Sequence, residues 1–338
     1  MPARGELFRE VHAGIVRSVA IVARDRRRVT FARHFAAPPI MTRLSNRDLV
    51  LLVLLTLFWG VNWPVMKFGV TELPPLYFRT ICIGGGLVVM AIAARAMGVP
   101  LAVPRGAWPR IVRLSIPNLI VWHTLVVIAL KMLPSGRAAI LGYTMPVWAV
   151  LAGLLFFGER PLARHWWGVA AAFGGTLLLL SSEFTALAGS PLGTLLMLVA
   201  AAAWGYGTHL MRRHLTDMPV LALTFWMLAL TLPVMIAGSV LFERAAWRAP
   251  TAGEWAAIAY NVVFAIAFCH VVWSRLARTL PPAASGLSVM MIPVLGVFSG
   301  MWMLGERPYW QDYAALVLIL FALATVLLAP RGATRASS

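Results

Sequence analysis

Apolar residues run through this chain in blocks of about twenty, each closed by a short polar or proline-bearing break, from Leu49 nearly to the carboxyl end. The blocks lie at approximately 49–67, 74–94, 111–130, 134–157, 164–181, 192–211, 218–240, 254–274, 281–304 and 310–329. A helix of about 20 residues crosses the hydrocarbon of a bilayer and satisfies its own backbone hydrogen bonds there, so each block predicts a membrane-spanning helix. Pro146 and Pro293 sit inside the fourth and ninth blocks. Each removes an amide donor and is expected to bend or open its helix.

One passage is written twice. Leu133-Pro134 leads through Pro146 to Gly158-Glu159-Arg160-Pro161, and Leu280-Pro281 leads through Pro293 to Gly305-Glu306-Arg307-Pro308, with matched residues 147 positions apart. A duplication within a chain of spanning helices predicts two related halves, the construction of many carriers. The halves are expected at 49–181 and 192–329, between tails at 1–48 and 330–338. Five spans per half is an odd number, so the second half enters from the opposite face. The expected fold is an all-α integral membrane protein with ten transmembrane helices in two inverted five-helix repeats.

Composition agrees: 60% hydrophobic against 12% charged residues, with mean hydropathy +0.81, places most of the surface in lipid. The net charge of +17 invites a nucleic-acid reading, but eight arginines, from Arg4 to Arg33, crowd into the first forty residues. That stretch reads as a cytoplasmic tail near anionic lipid, or as an extension ahead of a start at Met41, and nucleic acid is not expected as a partner. Elsewhere the basic residues mark span ends. With the amino terminus inside, fourteen fall on the cytoplasmic side and six on the other, namely Lys67, Lys131, Arg137, Arg244, Arg248 and Arg307. This bias predicts both termini in the cytoplasm. Leu49–Val65 reads as a retained first helix rather than a cleaved signal. Cys82 and Cys269 lie in apolar runs and offer neither a disulfide framework nor metal-ligand spacing.

Particular residues carry a resemblance. They are Trp59-Gly60-Val61-Asn62-Trp63 with Lys67 in the first span, Arg79 early in the second, and the run from Pro134 to Gly158-Glu159-Arg160. Trp204-Gly205-Tyr206 with Arg212, then Pro281, Pro293 and Gly305-Glu306-Arg307, echo them in the second half. Over roughly 49–329 the chain resembles the drug/metabolite transporter superfamily, in its EamA-like group of ten-helix carriers. The resemblance implies a secondary transporter of a small organic metabolite in the cytoplasmic membrane (the inner membrane of a Gram-negative cell), with export favoured over uptake. Thr224 stands where the first half has Arg79, and His270 occupies a region that often carries tyrosine in relatives. Substrate identity therefore does not transfer by analogy.

Candidate binding or gating residues are the polar and aromatic groups that interrupt the apolar spans: Trp59, Asn62, Trp63, Arg79, His123, Tyr143, Trp204, Tyr206, His270 and Trp273. An amide, guanidinium or imidazole in hydrocarbon needs a partner, and aromatic faces can enclose an organic solute. Each also has a plain structural use, as an interhelical bond, a snorkelling cation or a packed ring. Trp59, Asn62, His123, Tyr206 and His270 are expected to approach one central cavity. Glu159 and Glu306, at span ends, are expected to stay hydrated or to pair with Arg160 and Arg307. With Pro146 and Pro293 they are assigned structural or gating roles. Glu72 is a candidate partner for a basic residue near the face that holds Arg79. Gly84-Gly85-Gly86 and Gly174-Gly175 are expected to allow close helix approach. No acidic side chain lies near the centre of a span, so proton coupling, as opposed to exchange, would use histidine, substrate ionisation or an interfacial carboxylate.

The chain lacks a glycine-rich phosphate loop followed by Lys and Ser or Thr, and lacks a His-Glu-x-x-His sequence. Direct ATP drive, a resident metal and a cofactor are not expected. The lining favours amino acids, amines or other small amphipathic compounds. Lipid or nucleotide-sugar transport is the nearer alternative; a membrane-embedded enzyme or a nontransporting scaffold is the more distant one.

Overall fold

The computed structural model describes residues 46–185, 190–213, 218–276 and 282–327, without the side chains of 182–185, 212–213, 273–276 and 282–289. The amino-terminal tail up to residue 45, the carboxyl-terminal tail and Pro281 lie outside the described residues. The described chain is helical rod after helical rod. The first two are α1 (Asn46–Glu72) and α2 (Pro75–Ala96). The third is continuous through α3 (Trp108–Ser115), a π-helical segment π1 (Ile116–Val121) and α4 (Trp122–Met132). The fourth comprises α5 (Ser135–Gly142) and α6 (Met145–Phe157). Then come α7 (Ala163–Thr185), α8 (Pro191–Arg213) and α9 (Val220–Phe242). The eighth rod again contains a π segment: α10 (Ala252–Tyr260), π2 (Asn261–Phe268) and α11 (Cys269–Leu276). Finally α12 (Pro282–Leu304) and α13 (Trp310–Leu327) close the chain.

Eight described segments are long and apolar enough to cross a membrane, and α7 and α12, at 23 residues each, run alongside them. This is an all-α, multi-pass membrane fold. Large apolar side chains such as Leu155, Trp167, Phe242, Trp302 and Val317 are exposed on its flanks, where lipid rather than water is the solvent. The main contacts pair α1 with α12, α2 with α9, α4 with α8, α5 with α12, α6 with α8 and α7 with α13.

The prolines behave differently from one another. Pro146 lies in the first turn of α6, after the helix breaks at Tyr143-Thr144; a proline is tolerated there because that amide has no helical acceptor. Pro293, expected to bend or open its helix as well, lies inside the unbroken α12, and Pro64 in α1 and Pro233 in α9 are carried in the same way. α12 packs against both α1 and α5 just beyond Pro293, where Leu295 meets Gly60 and Val297 meets Gly136.

The two π segments were not anticipated. In each, a buried asparagine reaches back one turn: Asn118 Nδ2 donates to the Leu114 carbonyl at 2.9 Å and Asn261 Nδ2 to the Ala257 carbonyl at 3.1 Å. Glycines set the closest approaches. A Cβ at Gly85 or Gly86 of α2 would collide with Val262 or Ile266 of π2, and one at Gly205 would lie 2.6 Å from the Ala149 nitrogen. Gly175 similarly approaches α13. Gly84 and Gly174 do not serve close packing, the first having only Leu232 at 4.0 Å and the second nothing within 4 Å.

For orientation, the end of the bundle that carries the turns at 73–74, 133–134 and 305–309 is termed distal, and the end where α1 begins proximal.

A candidate substrate site between the helices

Residues 59, 62, 63 and 66 recur at helical spacing and share one face of α1. Asn62, Trp63 and Met66 on that face are buried. Trp59 donates its indole N–H to the Ala265 carbonyl of π2 at 3.1 Å and meets His270 edge-on, with ring centroids 6.0 Å apart. Trp63 turns toward the break in the fourth rod, where its ring meets Tyr143 at 6.4 Å. Glycines make room for that indole, since a Cβ at Gly142 would lie 2.9 Å from it and one at Gly296 3.3 Å.

Arg79 enters from α2 and is only 3% exposed. It does not snorkel. Its Nη2 hydrogen-bonds the Met66 sulfur at 2.7 Å, one helical turn from Asn62. His123, buried on α4, lies within electrostatic reach of both Arg79 and His270. His270 in turn holds the Ile266 carbonyl through Nδ1 at 2.7 Å. Four rods thus bring Trp59, Asn62, Arg79, His123 and His270 together.

Polar atoms in this cluster are left over. Asn62 Oδ1, Arg79 Nε and both ring nitrogens of His123 are buried without a hydrogen-bond partner. An unmet buried polar atom costs about 1–3 kcal/mol, so several of them at one place inside an apolar bundle mark where a polar solute gains partners on arrival.

Tyr206, also expected to line the cavity, packs elsewhere. Tyr206 stacks on Phe157 at 5.7 Å and meets Phe156 edge-on. It borders a groove of about 490 Å³ on the flank of the bundle, along with Arg113, Pro117, Phe156, Ala203 and Leu210. That groove is apolar and open sideways, so acyl chains can satisfy it. The leftover polar atoms lie elsewhere, and the site is assigned to them. Trp204 packs on Trp122 at 5.0 Å. The side chain of Trp273 lies outside the described residues.

The repeated glutamates make contacts across helices. The Glu306 carboxylate, rather than pairing with Arg307, accepts from the Ser135 amide at 2.6 Å and the Gly136 amide at 3.2 Å. A helix start exposes unpaired N–H groups and the positive end of its dipole, which together outbid a neighbouring arginine in solvent. Glu159 faces His209 Nδ1 of α8 at 3.4 Å.

Several distal links were missed in the sequence. Lys67 Nζ donates to the Leu130 and Lys131 carbonyls at 3.0 and 2.9 Å, the carbonyl end of α4. Glu243 accepts from the Leu76 and Tyr77 amides, the start of α2. Arg137 and Asp312 form a buried bidentate pair at 2.8 and 3.1 Å. Arg248 binds buried Glu254, a contact that raises the Arg248 pKa, and donates to the Glu72 carbonyl at 3.0 Å; the predicted partner was the Glu72 side chain. Leu-Pro at 73–74 and 133–134 was the available signal, because a proline turn ahead of a helix announces amides that need a carboxylate.

The family description "EamA-like transporter family" matches residues 47–181 and again residues 191–328. The chain belongs to the EamA-like transporter family. It is an integral, multi-pass protein of the cytoplasmic membrane and a small-molecule transporter of the drug/metabolite transporter superfamily. Among similar proteins, the uncharacterized inner membrane transporter YedA of Escherichia coli K12 is 26% identical, covering 81% of this chain and 88% of YedA. A probable amino-acid metabolite efflux pump of the same organism is 23% identical over 83% of this chain and 94% of its own length. The aromatic amino acid exporter YddG of Ancylobacter novellus is 28% identical over 64% and 77%. A solved crystal structure shares the fold, with TM-score 0.62 and 24% identity, covering 84% of this chain and 99% of the other.

Proposed function

We propose that this EamA-like transporter exports a small organic metabolite of amino-acid size, using two inverted five-helix repeats that alternate around the cluster of Trp59, Asn62, Arg79, His123 and His270. The observation that carries the reading is the set of unmet polar atoms on Asn62, Arg79 and His123, on three different rods. Relatives named as amino-acid efflux proteins support the direction and the size of the cargo.

Inversion is supported by the contacts. Exchanging the halves carries α1 on α12 into the fourth rod on α8, and α1 on the eighth rod into α8 on the third. It leaves α2 on α9 and α7 on α13 unchanged. The π segments fall in the third rod of each half. With both termini cytoplasmic, the distal end faces outward. Its Glu306–Ser135 and Arg137–Asp312 contacts, which join the two halves, then form an outer closure that must part during export. Trp63, Tyr143 and Trp204 act as supporting walls, and Glu159, Pro146 and Pro293 belong to the moving elements. Within the cluster, His123 and His270 are available to couple a proton; exchange of one solute for another needs neither.

The test is flux. Purified protein in proteoliposomes, loaded in turn with amino acids, amines and other small metabolites, is expected to release one class faster than empty liposomes, with and without an imposed proton gradient. Failure of every compound to move would reject the carrier reading. Movement independent of the gradient would remove proton coupling alone.

A further inference from the structure

Resting on that reading, we infer that the cargo is a zwitterion, held by its carboxylate at Arg79 and by its ammonium group at Asn62. Arg79 is a buried cation for which no carboxylate among the described residues is a partner. Its Nη2 rests on the Met66 thioether, a weak acceptor, and its Nε–H is unmet. A buried charge with so little compensation is costly. A carboxylate arriving there accepts charge-assisted hydrogen bonds in place of its water shell.

The neighbouring unmet atoms have complementary chemistry. Asn62 Oδ1 can only accept, and it lies one turn along α1 from the sulfur that Arg79 touches. His123 offers one donor and one acceptor nitrogen, both free. An anion at the guanidinium with a cation one turn deeper is the pattern of an α-amino acid head group. An amine lacking the carboxylate would instead bring a second positive charge beside a buried guanidinium. The indoles of Trp59 and Trp63, on the same face of α1, are left to bound the apolar side chain. The choice left open between amino acids and amines therefore falls on the acid.

The experiment compares L-phenylalanine, L-leucine and L-threonine with their carboxamides and decarboxylated amines, by efflux from proteoliposomes and by thermal stabilisation of the purified protein. The account expects at least one acid to surpass its amide and amine by about 100-fold in apparent affinity, the scale for removing one partner of a buried charge pair. In Arg79→Gln this preference should collapse to within about threefold, and in Arg79→Lys, which keeps the charge but loses the fork, about tenfold should remain. An amide or amine that binds or moves as well as its acid in the unsubstituted protein overturns the inference and leaves the carrier reading standing. So does an acid preference that survives Arg79→Gln. If that variant does not assemble, the unsubstituted ratio and Arg79→Lys decide. If no compound binds or moves in any form, both the inference and the carrier reading fall.

Discussion

The Arg137–Asp312 pair joins α5 to α13 with both side chains nearly excluded from solvent, at 5% and 7% exposure. Replacing Arg137 by Met leaves Asp312 buried with only the Tyr309 amide to balance it, 2.7 Å away. Replacing Asp312 by Leu takes the Asp312 carboxylate away from the buried guanidinium. Breaking a buried pair from either side costs about 3–5 kcal/mol, because an unpaired charge stays behind. Removing both charges removes that penalty, so Arg137→Met/Asp312→Leu should cost only about 1–3 kcal/mol, including the lost Tyr309 contact. The cycle should therefore be non-additive by about 3 kcal/mol or more. Unfolding by SDS in mixed micelles, with assembly checked by size exclusion, measures the four proteins. Costs that add within about 0.5 kcal/mol would refute the reasoning, since they would mean that neither charge feels the loss of the other.

Glu306→Ala strands the Ser135 and Gly136 amides and should destabilise the protein by about 1–3 kcal/mol, with Glu306→Gln losing less; thermal denaturation in detergent reads both. Gly205→Ala drives a methyl into the backbone of Met145 and Ala149 and should cost at least about 1–3 kcal/mol, whereas Gly174→Ala, facing open space, should be neutral or stabilise by up to about 1 kcal/mol. Trp59→Phe keeps the ring but loses the bond to Ala265, and should lower stability by about 0.5–1.5 kcal/mol while weakening solute affinity in the flux assay. Reporter fusions at the two ends should both appear in the cytoplasm, and an external carboxyl terminus would contradict the inverted topology.

Span positions were legible because lipid leaves no alternative: a run of apolar residues long enough to cross must be helical, and the rods begin and end within a few residues of the apolar blocks. The π segments were illegible, since Asn118 and Asn261 look like any polar interruption until their bonds to Leu114 and Ala257 are seen. The search for polar and aromatic groups interrupting an apolar span picked out Trp59, Asn62 and Trp63, which share one face of α1. It did not separate Tyr206 from that group, because an aromatic beside a tryptophan-glycine pair fits a cavity wall and a lipid-facing flank equally well. Arg79 stood out as an intramembrane charge, but its burial against Met66 depends on how α1 and α2 pack, which sequence spacing does not encode. Asp312 was passed over as a span-end acid for the same reason, and Glu254 because its arginine sits across a turn with no spacing signal. Their arginines lie 175 and 6 residues away, and only the fold brings the first of these pairs together.

The central claim, that the halves part at the distal end to release solute, is tested most directly by tying that end shut. Ser135→Cys/Glu306→Cys places thiols on α5 and on the turn after α12, where the native carboxylate meets the Ser135 amide. Buried Cys82 and Cys269 are replaced by alanine to leave no other thiol. Solute efflux from proteoliposomes is then measured before and after a short bis-methanethiosulfonate cross-linker, which joins the two thiols through mixed disulfides that a reductant cleaves. The account predicts efflux in the reduced protein, its loss when the link forms, and its return on reduction. Undiminished efflux through a fully cross-linked protein would contradict it.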